Sequence, residues 1–368
     1  MMNRMIVGNL VHRPVRSLIS VVAIALEVTM ILLIVGLCLG MLQDNRTRTA
    51  GIGADVLVRP PGSSFIAGFS GAPISVKVGE VLAKLPHVKN VAPVIQQITS
   101  AGSLEIITGI DLPGYESMSF GFHYLEGGPF QGSYDVLVDD LFAQSQHAKV
   151  GDTIDILNNK FRISGIVERG KGGRKFVPLN TLQDLVGAKG MATIFYLKLD
   201  DPGNADAVVD EIKHVPGMEH YMATSMASYL AMVTTSNYPG LSTFIDVVVG
   251  ISVLIGFIVI FQAMYTAVME RTREIGILKS MGASKLYIVN VVLRETVLLA
   301  LGGIVLGIVV SLAARTALAH KFPLLQVVVD GGWIARSTLI AVAGAVAGAL
   351  YPAYKAAQKD PIDALAYE

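Results

Sequence analysis

The sequence predicts an α-helical membrane protein with four transmembrane helices and a large α+β extracytoplasmic domain inserted between the first and second helices. Three observations predict it. Of the 368 residues, 52% are hydrophobic and 16% charged, too apolar for an ordinary soluble protein and too polar for one packed with spans. Four apolar runs are each long enough to cross a bilayer, one near the N-terminus and three towards the C-terminus. Between the first two lies a stretch of roughly 200 residues rich in proline, glycine, aspartate and short alternating segments, with no spanning run.

The first element is an interfacial helix over residues 1–17. There Met5, Ile6, Asn9 and Leu10 alternate with Arg4, His12 and Arg13, until Pro14 breaks or kinks the chain. The first span, 18–42, carries one charge, Glu27. It exceeds a signal-peptide core of about 7–15 residues and no small-x-small cleavage site follows, so it reads as retained. Arg4, Arg13 and Arg16 precede it and place the N-terminus in the cytoplasm.

Residues 43–240 form the extracytoplasmic domain. Strand patterns fall at Asp55–Arg59, Val88–Gln97, Leu104–Ile110, Asp135–Asp139, Thr153–Leu157, Phe161–Val167 and Thr193–Leu199. Two amphipathic helices, Val76–Leu85 and Ala205–Val215, each end at a proline before a further strand. This similarity predicts two related βαβ-like halves, about 43–111 and 190–240, around a β-rich insertion, about 112–189; such pairs build ferredoxin-like modules.

The remaining spans are 241–269, 285–314 and 333–354, with an outer loop over 315–332 and a cytoplasmic tail over 355–368. The segment 270–284, between the second and third spans, is too short and too charged to fold alone. Ile275, Leu278 and Met281 recur at helical spacing, flanked by Arg271, Arg273, Glu274 and Lys279. Gly282 suits a helix C-terminus and Ser284 an N-cap. A short amphipathic helix pinned between spans on the cytoplasmic face is placed to be pushed by a soluble partner. The plainer reading is a basic loop obeying the positive-inside rule.

Other chemistry is sparse. Formal net charge is zero, so there is no nucleic-acid footprint. A single cysteine, Cys38, excludes an internal disulfide. The run Gly170-Lys171-Gly172-Gly173-Arg174-Lys175 lacks P-loop spacing and reads as a basic hairpin tip. The seven histidines show no metal-ligand spacing, and no G-x-S-x-G elbow occurs. Glu27 sits near mid-membrane, where a carboxylate is costly. It is either a polar contact at a helix interface or cleft, or a group satisfied by Gln262, Thr29 or a partner subunit. Gly303-x-x-x-Gly307 and Gly344-x-x-x-Gly348 permit close helix approach, within the subunit rather than across a dimer seam.

The order of one span, a large outer domain and three spans resembles the MacB/FtsX-like family of ABC transporter permeases. The segment E-R-T-R-E-I-G-I-L-K-S-M-G-A-S at 270–284 resembles that family's stretch after the second span. The ending Y-P-A-Y-K-A-A-Q-K-D-P-I-D-A-L at 351–365 resembles its C-terminus. The resemblance implies that 270–284 is a coupling helix, with Arg271, Arg273, Glu274, Ile275, Leu278, Lys279 and Met281 facing an ATPase. It implies a permease with no ATPase site of its own, and porter-like halves with a second subdomain as the insertion. Its partners would be two copies of a separate ABC ATPase holding ATP and Mg, and a second copy of itself or a similar permease. A periplasmic adaptor and outer-membrane channel would complete an exporter in the bacterial inner membrane. In such complexes ATP hydrolysis moves the outer domains, a scheme called mechanotransmission. Alternatives within the resemblance are an FtsX-like transducer acting on an extracytoplasmic enzyme, and a lipoprotein-releasing permease.

Overall fold

The computed structural model describes residues 14–63, 72–99, 105–119, 121–238 and 240–359. The expected interfacial helix before Pro14 and the tail past Lys359 lie outside them. Two compact units divide the chain.

The first unit holds the membrane helices: α1 (Pro14–Ala50), whose last turns belong to the second unit, then α8 (Leu241–Glu270), α9 (Thr272–Ser280), α10 (Lys285–Lys321) and α11 (Gly331–Gln358). Four of these are long and apolar enough to cross a membrane. All four run past the expected spans, α1 and α10 the furthest. Helix α1 continues to Ala50 and α10 to Lys321, because hydropathy marks only the lipid-matched part of a helix, and the polar turns beyond it keep their backbone bonds. The buried seam is built on small residues. A Cβ at Gly303 would lie 2.6 Å from Ile24 Cβ, and one at Gly307 2.7 Å from the Ala25 carbonyl, so α10 rides directly on α1. A Cβ at Gly348 would lie 2.9 Å from the Phe257 carbonyl oxygen, so α11 sits close against α8. Both glycine pairs therefore serve contacts inside the subunit. Ile24, Val28, Leu32, Ile260, Met264, Ala300, Ile304 and Ala345 fill the space between.

The second unit contains one ten-stranded sheet. Its elements are β1 (Val56–Arg59), β2 (Ile74–Ser75), α2 (Val78–Leu82), β3 (Val88–Thr99), β4 (Glu105–Ile110), α3 (Leu112–Glu116), β5 (Tyr124–Gly127), β6 (Asp135–Asp139) and α4 (Asp140–Gln146). They continue with β7 (Thr153–Ile156), β8 (Asn159–Val167), β9 (Lys175–Pro178), α5 (Leu179–Leu185), β10 (Met191–Ala192), β11 (Ile194–Leu199), α6 (Ala205–His214), β12 (Met222–Ser225) and α7 (Met226–Met232). At one end the order is β12-β1-β11-β3, every pair antiparallel. With α2 and α6 on one face this is the split βαβ arrangement of a ferredoxin-like module. Leu82, Val208 and Ile212 from the helices pack on Val56, Val58, Phe195 and Leu197 from the strands.

The insertion continues the same sheet rather than building its own, through the parallel pair β4/β9 and on to β6, β8 and β5. It holds β5 to β9 and also carries the helices α3, α4 and α5. The run 170–175 is a turn packed on the C-terminal end of α1, not an exposed tip. Gly172 N–H donates to the Arg48 carbonyl at 2.9 Å, and Lys175 is 6% exposed.

Candidate functional site: the helix between two membrane helices

Helix α9 exists because the chain breaks twice within a short distance. Arg271 leaves helical geometry at φ −106°, ψ 18°, ending α8. The far end closes on Gly282 in the left-handed region at φ +94°. There Ala283 N–H donates to the Leu278 carbonyl and Gly282 N–H to the Lys279 carbonyl, both at 3.0 Å. This is the Schellman pattern that a C-terminal glycine permits. The Ser284 hydroxyl then accepts from Tyr287 N–H at 3.2 Å and caps α10.

Three side chains fix α9 to its neighbours. Arg271 Nη1 and Nη2 donate to the two carboxylate oxygens of Glu295 on α10, at 3.0 and 3.3 Å. Thr272 Oγ1 donates to the Met269 carbonyl at 2.8 Å. Lys279 Nζ donates to the Ala357 carbonyl at 3.0 Å and to that of Lys359, at the end of α11. Beneath them Ile275 is buried with Val268, Ile288, Ala356 and Ala357, and Leu278 packs on that cluster.

The seven coupling candidates therefore separate. Arg271, Ile275, Leu278 and Lys279 make contacts inside the unit, while Arg273, Glu274 and Met281 stand exposed. An amphipathic helix between two spans finds its apolar partner in its own membrane helices, which is why the Ile275–Leu278 side turns inward. Of the stripe, Met281 turns outward, at 72% exposed, and the outward surface adds two residues that the stripe did not include, Ile277 at 43% and Leu286 at 80%. The signal of those two was apolar character off the main helical stripe. Glu295, the other omission, is visible in the sequence only as a charge near the start of a span.

Glu27 is 5% exposed, and its Oε1 has no hydrogen-bond partner among the described residues. Its carboxyl lies over Gly256 of α8, where a Cβ would come within 2.0 Å of Oε2. Neither suggested partner reaches it. Thr29 Oγ1 donates instead to the Gly307 carbonyl at 3.2 Å, and Gln262 is exposed, lining a groove of about 660 Å³ with Ile19, Ile258 and Thr266. Among the described residues no group of histidine, cysteine and acidic side chains is placed to hold a metal.

Comparison with known proteins covers both halves of the chain. Residues 17–215 match the MacB-like periplasmic core domain and residues 247–361 the FtsX-like permease C-terminal domain. A macrolide export ATP-binding/permease protein MacB from Shewanella sp. is 26% identical over 97% of this chain and 59% of its own length. Its counterpart from Bdellovibrio bacteriovorus is 25% identical over 98% and 60%. An uncharacterized ABC transporter permease YknZ from Bacillus subtilis is 32% identical over 60% of this chain and 57% of its own. The chain thus spans less than two thirds of the length of these relatives. The crystal structure of the periplasmic region of MacB from Actinobacillus actinomycetemcomitans aligns with 50% of this chain and 94% of its own, at 15% identity and a TM-score of 0.39.

Proposed function

The chain belongs to the MacB/FtsX-like family of ABC transporter permeases, and on that premise we propose that it couples a cytoplasmic ATPase to movement of its inserted domain. The observation that carries this reading is the construction of α9. It is a rigid corner between two membrane helices, locked from beneath by Arg271–Glu295 and Lys279, with Arg273, Glu274, Ile277 and Met281 left outward. A push on that surface reaches α8, α10 and α11 through hydrogen bonds and packing rather than being absorbed by a loose loop.

In this reading two ATPase subunits hold ATP and Mg, the permease pairs with a second copy or a similar chain, and it performs no hydrolysis itself. Export is the reading that the macrolide export relatives support, and we extend it to a complex in the bacterial inner membrane with a periplasmic adaptor and an outer-membrane channel. The termini and α9 are cytoplasmic and the inserted domain extracytoplasmic, as the N-terminal arginines favour.

Orientation is tested on a Cys38→Ser background in right-side-out vesicles. Ser133→Cys and Asp201→Cys react with an impermeant maleimide, while Ser280→Cys and Gln358→Cys react only after permeabilisation. Reaction of Ser280→Cys in sealed vesicles refutes the arrangement.

A further inference from the structure

The turn at 170–175 makes more contacts with the end of α1 than a connecting loop needs. Arg174 lies between two carboxylates: Nη2 donates to Asp44 of α1 at 2.8 Å and Nη1 to Asp139, at the end of β6, at 3.0 Å. Their side chains are 21%, 14% and 1% exposed respectively, well removed from the solvent that makes surface ion pairs weak. Asp44 also accepts from Arg48 Nε at 3.0 Å, and Arg48 Nη1 donates onward to the Gly172 carbonyl at 3.2 Å. Gly172 N–H returns to the Arg48 carbonyl, so the turn and the helix end bond reciprocally.

The glycines show that this contact is close at the backbone as well. A Cβ at Gly51, just past α1, would fall 1.8 Å from the Gly170 carbonyl oxygen. One at Gly172 would meet Tyr115 Oη at 2.6 Å and Ile52 at 2.9 Å, and Gly172 has φ +88°. One at Gly173 would meet Thr108 Oγ1 at 2.7 Å. Tyr115 Oη donates to the Lys171 carbonyl at 2.7 Å, and Lys171 Nζ donates to Ser119 Oγ at 2.9 Å. The segment is thus seated on both sides, by α1 and by the turn after α3. Glycine at 172 and 173 answers crowding, and glycine at 170 a backbone φ of +104°, rather than a need for looseness.

From this geometry we infer that residues 170–175 form a latch, with Arg174 its central positioning residue, which fastens the last turns of α1 to the β6 part of the inserted domain so that the two move as one body. Helix α1 runs from Pro14 to Ala50, and its last turns, which carry Asp44 and Arg48, belong to the second unit. Arg174 ties Asp44 to Asp139 and therefore to β6, in the middle of the insertion's strands. The inference deepens the proposed coupling role and rests on it for its purpose, while the latch itself is testable without any ATPase.

The test uses the full-length permease in lipid nanodiscs, with Cys38→Ser, and spin labels at Arg46→Cys on α1 and Asp155→Cys on β7. Pulsed dipolar spectroscopy gives one narrow distance distribution for this parent. Arg174→Gln and, separately, Asp44→Asn widen it at least twofold. Asp44→Asn leaves the Arg174–Asp139 pair in place, so the insertion stays folded and its thermal midpoint moves by only a few degrees. It decides the matter alone should Arg174→Gln fail to fold. A parent distribution that is already broad, or unchanged width in the folded variants even with a lowered midpoint, overturns the latch. An intact latch with no nucleotide-driven change of that distance, once the ATPase is added, would instead count against the coupling role.

Discussion

Arg271, at the break between α8 and α9, faces Glu295 of α10 in a two-bond fork, their side chains 11% and 5% exposed. A guanidinium and carboxylate so placed hold geometry more than they add net stability, since desolvation offsets much of their attraction. Removing one partner is another matter, because it strands a buried charge. Arg271→Met is expected to cost about 3 kcal/mol and Glu295→Gln somewhat less. The double variant Arg271→Met/Glu295→Leu should recover most of the loss. Thermal midpoints in detergent give the double-mutant cycle, and strictly additive losses would deny the coupling.

The outward side of α9 should behave differently from the inward side. Ile277→Asp and Met281→Asp are expected to leave the thermal midpoint within about 0.5 kcal/mol of the parent, as exposed substitutions do. Both should lower stimulation of a co-reconstituted ATPase about tenfold or more, which corresponds to about 1.4 kcal/mol of lost coupling. Ile275→Asp, buried among Val268, Ile288 and Ala356, should destabilise the permease itself. Full stimulation by Ile277→Asp/Met281→Asp would move the contact elsewhere.

Glu27 and Gly256 form a steric pair. Gly256→Ala puts a methyl 2.0 Å from Glu27 Oε2, an overpacking expected to cost about 1–3 kcal/mol. Glu27→Ala in the same chain removes the obstacle and should restore the midpoint to near that of Glu27→Ala alone. Glu27→Gln keeps the shape and is expected to assemble like the parent. If Gly256→Ala is as stable as the parent, the carboxyl does not occupy that space.

In the inserted domain, burial pulls the Asp135 carboxyl upward. The Arg162 guanidinium and the Gln131 and Gly132 amides override it and hold it below the usual carboxylate range. The amide bonds are 2.7 and 2.8 Å and the Arg162 contacts 3.2 and 3.3 Å. A pKa lowered by folding contributes stability that is present above the unfolded value, about 3.9, and is lost as pH falls through the folded value. Asp135→Asn should therefore cost about 1–2 kcal/mol at pH 7, with the difference from the parent shrinking below about pH 4. A gap that stays constant from pH 7 to pH 3 would refute the assignment.

Helix number and order were legible because a bilayer demands long apolar runs, which hydropathy registers directly. Most central strands were legible for a similar reason, since Val56–Val58 and Ile194–Leu197 lie buried in apolar stretches. What escaped was polar or short. β9 contains Lys175 and Pro178, β5 contains Glu126 and Gly127, and neither resembles a strand until its neighbours are in place. The polar turns of α1 past Leu42 are held by Arg174, 130 residues from Asp44. The facing of α9 was hidden likewise, because an apolar stripe shows that a helix is covered on one side without saying by what.

The sheet running from β12 to β5 without interruption has a consequence for how this domain can vary. Its open end at β5 is irregular. The register slips between Tyr124 and Glu126, Gly127 turns at φ +71°, and Leu125, Glu126 and Gly127 are exposed. Such an edge offers a poor template to a passing strand, so neighbouring domains crowded on one membrane do not zip together there. It is also the end at which sequence can be added without breaking an existing rung. Added segments in the turns flanking β5 should be tolerated, whereas a residue inserted within β4 or β9 would shift a parallel register that fixes Ile107 against Lys175.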